Sequence, residues 1–169
     1  MSSSRPLWAP WRMEYIRTPK DNDCFLCNNQ TAGSSKPEEE LLIHRGETAF
    51  VMLNRFPYTC GHLLIAPYRH TGKLSDLSEK ERLELINLCI FAQQILEEVM
   101  KPEAYNIGFN IGKAAGAGNA DHLHMHLVPR WNGDTNFMPV LADVRCVPEA
   151  LTTTAEMIRN AWIRKERTE

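Results

Sequence analysis

Three of the chain's six histidines stand at alternate positions in the run Asp121-His122-Leu123-His124-Met125-His126-Leu127-Val128-Pro129-Arg130, separated by Leu, Met and Leu. Successive side chains of a β-strand point to opposite faces, so the run predicts a strand with His122, His124 and His126 on one surface and Leu123, Met125 and Leu127 on the other. Such a strand belongs in a sheet with one face sealed against a core and the other free for chemistry. One histidine in a strand is usually a satisfied polar residue. Three together bury poorly without partners and titrate as a coupled set near neutral pH, which favours a functional site. Residues two apart rise about 6.6 Å, so the row spans about 13 Å and its three rings do not easily ligate one ion. The row is expected to divide its roles.

The rest of the chain supplies a sheet and helices to hold that strand. Leu41–His44 and Ala49–Leu53 read as strands paired around Arg45-Gly46-Glu47, and His62–Ala66 follows as a third. Ser78-Glu79-Lys80-Glu81 has the capping-box pattern, and a broad apolar stripe then runs to a stop at Pro102. Tyr105–Ile111 alternates as a strand, and a small-residue loop with Gly112, Gly116 and Gly118 leads into the histidine run. A last helix is expected over 148–169, with Leu151, Ala155, Ile158 and Trp162 on one face. This order predicts one α+β domain over 1–169: an antiparallel sheet with one long helix and a C-terminal helix. Residues 1–20, with Trp8, Trp11 and Tyr15, read as a docking segment, and 30–40 as an exposed loop. The helix 78–100 is apolar on more than one face, which predicts a homodimer that buries the second.

A formal net charge of −2 over 169 residues argues against a general nucleic-acid binder, so any anionic ligand must be handled locally. No apolar run reaches membrane-spanning length and the N-terminus lacks a signal-peptide core, which predicts a cytoplasmic protein without membrane partners. Five cysteines include the pair Cys24-x-x-Cys27, which in a reducing compartment suggests metal or redox use over a disulfide framework. Cys60, Cys89 and Cys146 read as small buried apolar residues. By parity Met52 and Asn54 share a face, as do His62 and Leu64, so each strand can offer one apolar and one polar group to a ligand. Plain core is an equally good reading of Met52 and Leu64.

The pattern His-φ-His-φ-His-φ-φ, φ being hydrophobic, behind a glycine-containing loop resembles the histidine triad (HIT) superfamily of nucleotidyl hydrolases and transferases. The resemblance covers about Cys24 to Val140. It implies that His124, the middle histidine, attacks the α-phosphorus of a nucleotide to form a covalent nucleotidyl-imidazole, with a backbone carbonyl orienting the ring. A neutral imidazole is a competent nucleophile at pH 7, and His126 beside it can stabilise charge on a phosphate oxygen. Asn54 and His62 keep the family's Asn-x7-His spacing, which implies ribose binding, and the same match places Met52 and Leu64 on the adenine. Cys24, Cys27, His70 and His122 match the four zinc ligands of the bacterial branch, implying one structural zinc per chain in a closed tetrahedral site. His122 would then serve the metal while His124 and His126 face substrate, with magnesium accompanying the nucleotide.

One departure points to a sub-branch. Many HIT hydrolases carry a glutamine four residues before the first triad histidine; here that place is Gly118, followed by Asn119. The stretch Phe109-Asn110 through His122, with Trp131 to Pro139, is similar to the bacterial diadenosine tetraphosphate phosphorylases. Asn110, Gly116, Gly118 and Asn119 would there make room and donors for inorganic phosphate. The expected activity is cleavage of dinucleoside polyphosphates by phosphorolysis to ATP and ADP. Hydrolysis of such compounds or of nucleoside phosphoramidates to AMP, a zinc-hydroxide hydrolase built on the histidine row, and a non-catalytic nucleotide sensor are the alternatives.

Overall fold

The computed structural model describes residues 24–28, 39–134 and 149–168. Five antiparallel strands make one sheet: β1 (Leu42–Arg45), β2 (Ala49–Leu53), β3 (Leu63–Pro67), β4 (Ala104–Phe109) and β5 (Met125–Arg130), in the spatial order β1-β2-β3-β5-β4. The helices are α1 (Phe25–Asn28), α2 (Glu79–Val99) and α3 (Leu151–Glu166). The expected α+β architecture is therefore present. The docking segment 1–20, most of the loop 30–40 and Cys146 lie outside the described residues.

Local chemistry accounts for the element ends. Ser78 accepts from the backbone N–H of Glu81 while the Glu81 carboxylate accepts from the backbone N–H of Ser78, closing the capping box of α2. The same carboxylate takes the Nε–H of Arg69 at 2.8 Å, and these donors hold its pKa down at about 2. At the turn between β1 and β2, Gly46 lies so close to Glu84 of α2 that an added Cβ would meet the carboxylate oxygen at 2.3 Å. Glu84 accepts there from the backbone N–H groups of Glu47 and Thr48, which pins the hairpin to the helix.

Helices α2 and α3 contact each other and the sheet, α2 over β2, β3 and β5 and α3 over β1 and β2, so both cover one face. Leu85, Ile95 and Leu96 of α2, Ile158 and Trp162 of α3, and Val51, Leu63, Ile65 and Leu127 of the sheet belong to one buried cluster. The last helix begins at Leu151, later than the expected 148. Leu83, Ile86 and Ile90 of α2 are about half exposed, at 59%, 49% and 51%. They form the second apolar face expected from the sequence. No helix among the described residues is long and apolar enough to cross a membrane.

Candidate active site and metal centre

Cross-strand register builds the site as a row. Met52 of β2 is paired with Leu64 of β3, Leu64 with His126 of β5, and His126 with Gly108 of β4. Partners directly opposite in antiparallel strands project to the same face, so the row carries its side chains away from the helices. Met125 and Leu127, on the alternate positions, are buried in the core as the pattern requires. The strand itself starts later than expected. Ladder pairing begins at Met125, because the backbone N–H of Leu123 is taken by the carbonyl of Thr71 at 2.7 Å. His122 and His124 thus stand on an irregular approach to β5.

His124 is 6% exposed, and its Nδ1 lies 2.9 Å from the carbonyl oxygen of His122. A carbonyl only accepts, so Nδ1 carries the proton and Nε2 keeps its lone pair. Burial is the largest influence on this ring and pushes its pKa below the ordinary histidine value, which keeps it neutral at pH 7. The arrangement is that of an oriented nitrogen nucleophile.

A second chain of bonds sets the neighbouring ring. The backbone N–H of Tyr58 donates to His62 Nδ1 at 3.1 Å, which makes Nε2 the protonated nitrogen of a neutral His62. That Nε2 lies 2.9 Å from His126 Nδ1, so it donates there and leaves the His126 proton on Nε2. Burial, with the neighbouring His124 as a smaller cause, lowers the His126 pKa to about 4. The Asn110 amide nitrogen is 3.4 Å from His126 Nε2, and turning the amide end for end would offer its oxygen to that N–H. Tyr58 also stacks on His126 at a 5.8 Å centroid distance. Sequence reasoning missed Tyr58, since a backbone donor leaves no mark in residue type.

The other expected nucleotide contacts are placed as follows. Asn54 reaches His62 Nδ1 with its amide at 3.2 Å and accepts from the N–H of Phe56, so it sits beside the row in a local turn. Met52 and Leu64 lie in the row but are only 1% and 2% exposed, sealed like core residues. Gly112 and Gly116 have φ of +83° and +81°, and an added Cβ at either would meet open space. These two positions need glycine for backbone conformation and not for lack of space. Gly118 is exposed in the same loop. Asn119, expected among the anion donors, donates its side-chain Nδ2–H to Cys24 Sγ at 2.8 Å.

The four expected metal ligands converge. Cys24 Sγ is 3.3 Å and Cys27 Sγ 3.4 Å from His122 Nδ1, and Cys27 Sγ is 3.2 Å from His70 Nδ1. All four donor atoms lie within 4.8 Å of one another. His122 Nε2 is 2.8 Å from the carbonyl of Pro67, so it holds the proton and turns the Nδ1 lone pair into the cluster. Two sulfurs and two imidazoles at these separations fit a tetrahedral ion such as zinc. Cys89 is buried as expected, whereas Cys60 is only half-buried, with its Sγ 3.9 Å from Thr154 Oγ1.

A HIT domain is matched over residues 36–133. This protein belongs to the HIT family, and it is an enzyme of that family's nucleotidyltransferase or hydrolase type. It is 35% identical, over 94% of its length and 85% of the relative's, to a protein of Mycobacterium tuberculosis named AP-4-A phosphorylase. It is 32% identical to the asymmetrical bis(5'-nucleosyl)-tetraphosphatase of Schizosaccharomyces pombe, over 60% of this chain and 55% of that one. A zinc-bound histidine triad family protein of Mycobacterium smegmatis superposes with a TM-score of 0.69 at 26% identity, over 88% of this chain and 99% of that one.

Proposed function

We propose that the enzyme cleaves dinucleoside polyphosphates, with diadenosine tetraphosphate as the preferred substrate, and that inorganic phosphate is the acceptor. The observation that carries the reading is the His124 Nδ1 to His122 carbonyl contact of 2.9 Å, which aims an unprotonated Nε2 out of a buried ring. Nε2 attacks the α-phosphorus, a nucleotidyl–nitrogen bond forms, and the phosphorus–oxygen bond to the departing ATP breaks. The His126 Nε2–H stabilises the charge that builds on the non-bridging oxygen. A phosphate oxygen then attacks the same phosphorus, the bond to His124 breaks, and ADP leaves. Water in place of phosphate gives AMP. The likeness to AP-4-A phosphorylase over nearly the whole chain and the open glycine loop support phosphate as the acceptor.

Asn54 and His62 border the ribose side in this reading, Met52 and Leu64 the base, and magnesium accompanies the polyphosphate. Cys24, Cys27, His70 and His122 would hold one zinc per chain. Bound there with four protein ligands, it supplies a cross-link and no open catalytic position. The Cys24-x-x-Cys27 pair suits a reducing, cytoplasmic setting. Residues 1–169 form one domain, which dimerises through the exposed α2 stripe and the edge strand β4, where Ile107 is 49% exposed.

The decisive experiment supplies diadenosine tetraphosphate with and without phosphate and identifies the products. Phosphate should accelerate cleavage and change the second product from AMP to ADP. An unchanged rate with AMP still produced at saturating phosphate would make the enzyme a hydrolase, in line with the Schizosaccharomyces pombe relative. Gly118→Gln should raise the KM for phosphate more than it slows hydrolysis, because the longer amide fills the space the anion needs.

A further inference from the structure

The side chain of Asn119 donates to a thiol of the candidate metal cluster 95 positions earlier in the chain, Nδ2 to Cys24 Sγ at 2.8 Å. It stands at the end of the glycine loop that begins at Gly112. Within the loop, the Ala115 N–H donates to the Gly112 carbonyl at 3.2 Å and the Gly116 N–H to the Lys113 carbonyl at 3.0 Å. Just beyond Asn119 the chain is wedged tightly. An added Cβ on Gly72 would lie 2.4 Å from the Ala120 carbonyl oxygen, and the next contact is Leu123 N–H to the Thr71 carbonyl. His70, Thr71 and Gly72 therefore brace one side of the loop's root while Cys24 holds the other.

We propose that Asn119 is a positioning residue that couples the Cys24, Cys27, His70 and His122 metal site to the Gly112–Gly118 loop, so that metal occupancy sets the order of the loop. A metal-bound thiolate carries charge and only accepts, so it takes an amide N–H more strongly than a thiol does. Loading the site thus tightens the Asn119 tether, and the tether limits a loop in which Gly112 and Gly116 stand in the left-handed region that glycine reaches at little cost. By reciprocity, whatever orders the loop also retains the metal. Only the phosphate readout below rests on the loop's proposed role as the anion site.

The test compares the full-length protein with Asn119→Ala, each with zinc and after zinc removal. Zinc affinity, measured by chelator competition, should fall about 10–100-fold in the variant, the usual loss when a group bonded to a metal ligand is removed. Hydrogen exchange of amides 112–118 should slow on zinc loading in the wild type and stay fast in the zinc-saturated variant, while β2 and β3 keep their protection in both. Asn119→Asp, of the same shape but without the donor, should match the alanine variant and keeps the test open if the latter misfolds. Asn119→Ser, which retains a donor, should recover part of both effects. In turnover the KM for phosphate should rise more than kcat falls. Zinc affinity within about twofold of wild type, together with zinc-dependent protection of the loop in Asn119→Ala, would overturn the proposal. A wild-type rate that ignores phosphate would remove the phosphorolysis reading and leave the zinc and exchange results to decide this one.

Discussion

Each ring of the site does a job that its hydrogen bonds assign. Alternation and spacing singled out His122, His124 and His126, and the carbonyls of Pro67 and His122 and the ring of His62 fix which nitrogen of each carries its proton. Removing the nucleophile in His124→Ala should abolish turnover, by at least three orders of magnitude on the scale of lost covalent catalysts, while nucleotide binding and the melting temperature change little. Near-normal turnover would remove the covalent route. The depressed histidine pKa values also fix a pH response. The folded protein holds His126 neutral down to about 4 while the unfolded chain takes up that proton near 6.5. The unfolded state then binds more protons, so stability should fall as pH drops through that window. Denaturant titrations between pH 7 and 4.5 should show it, and His126→Asn should flatten the slope.

At the scale of elements, the capping box and the apolar stripe made α2 legible, and the structure places the helix over Glu79–Val99. The expected strands were found with their ends shifted by a residue or two. The larger discrepancy is at β5, where the approach from His122 to His124 leaves the ladder because Thr71 takes the N–H of Leu123 and His122 turns toward Cys24 and Cys27. That approach joins the segment 70–72 to the glycine loop, so a metal held by Cys24, Cys27, His70 and His122 would act as a clasp between two loops. Cys24→Ser should therefore lower the melting temperature by several degrees and weaken zinc retention, with a smaller effect on the rate at low temperature. Thermal scans beside elemental analysis check this, and a rate collapse at unchanged stability would favour the zinc-hydroxide hydrolase. Gly72→Ala should weaken zinc retention in the same assay, since its Cβ would meet a backbone carbonyl that has no rotamer to change.

At the scale of the molecule, α2 and α3 cover one side of the sheet, and among the described residues the outer stripe of α2 and the edge of β4 are exposed. The Tyr105 hydroxyl donates to the Gln93 carbonyl, which brings that strand and helix together on one flank. A two-fold partner could bury the combined surface and pair β4 with its copy. Light scattering should give the mass of a dimer at micromolar concentration, and Ile90→Lys together with Ile107→Lys should shift it to the monomer. A monomeric wild type would contradict the assembly.

The family resemblance supplied the four candidate metal ligands, and the amino-acid sequence by itself determined the α+β class, the two faces of the histidine run and the capped long helix. Those features depend on residue type at a fixed spacing, which local periodicity and ligand chemistry make readable. Only the tertiary structure decided which nitrogen of each ring carries the proton, that Tyr58 sets His62 through a backbone N–H, and that the Asn119 amide donates to Cys24. Those choices rest on backbone donors and carbonyls common to every residue. They become specific only when segments as distant as Cys24 and Asn119 are folded against each other.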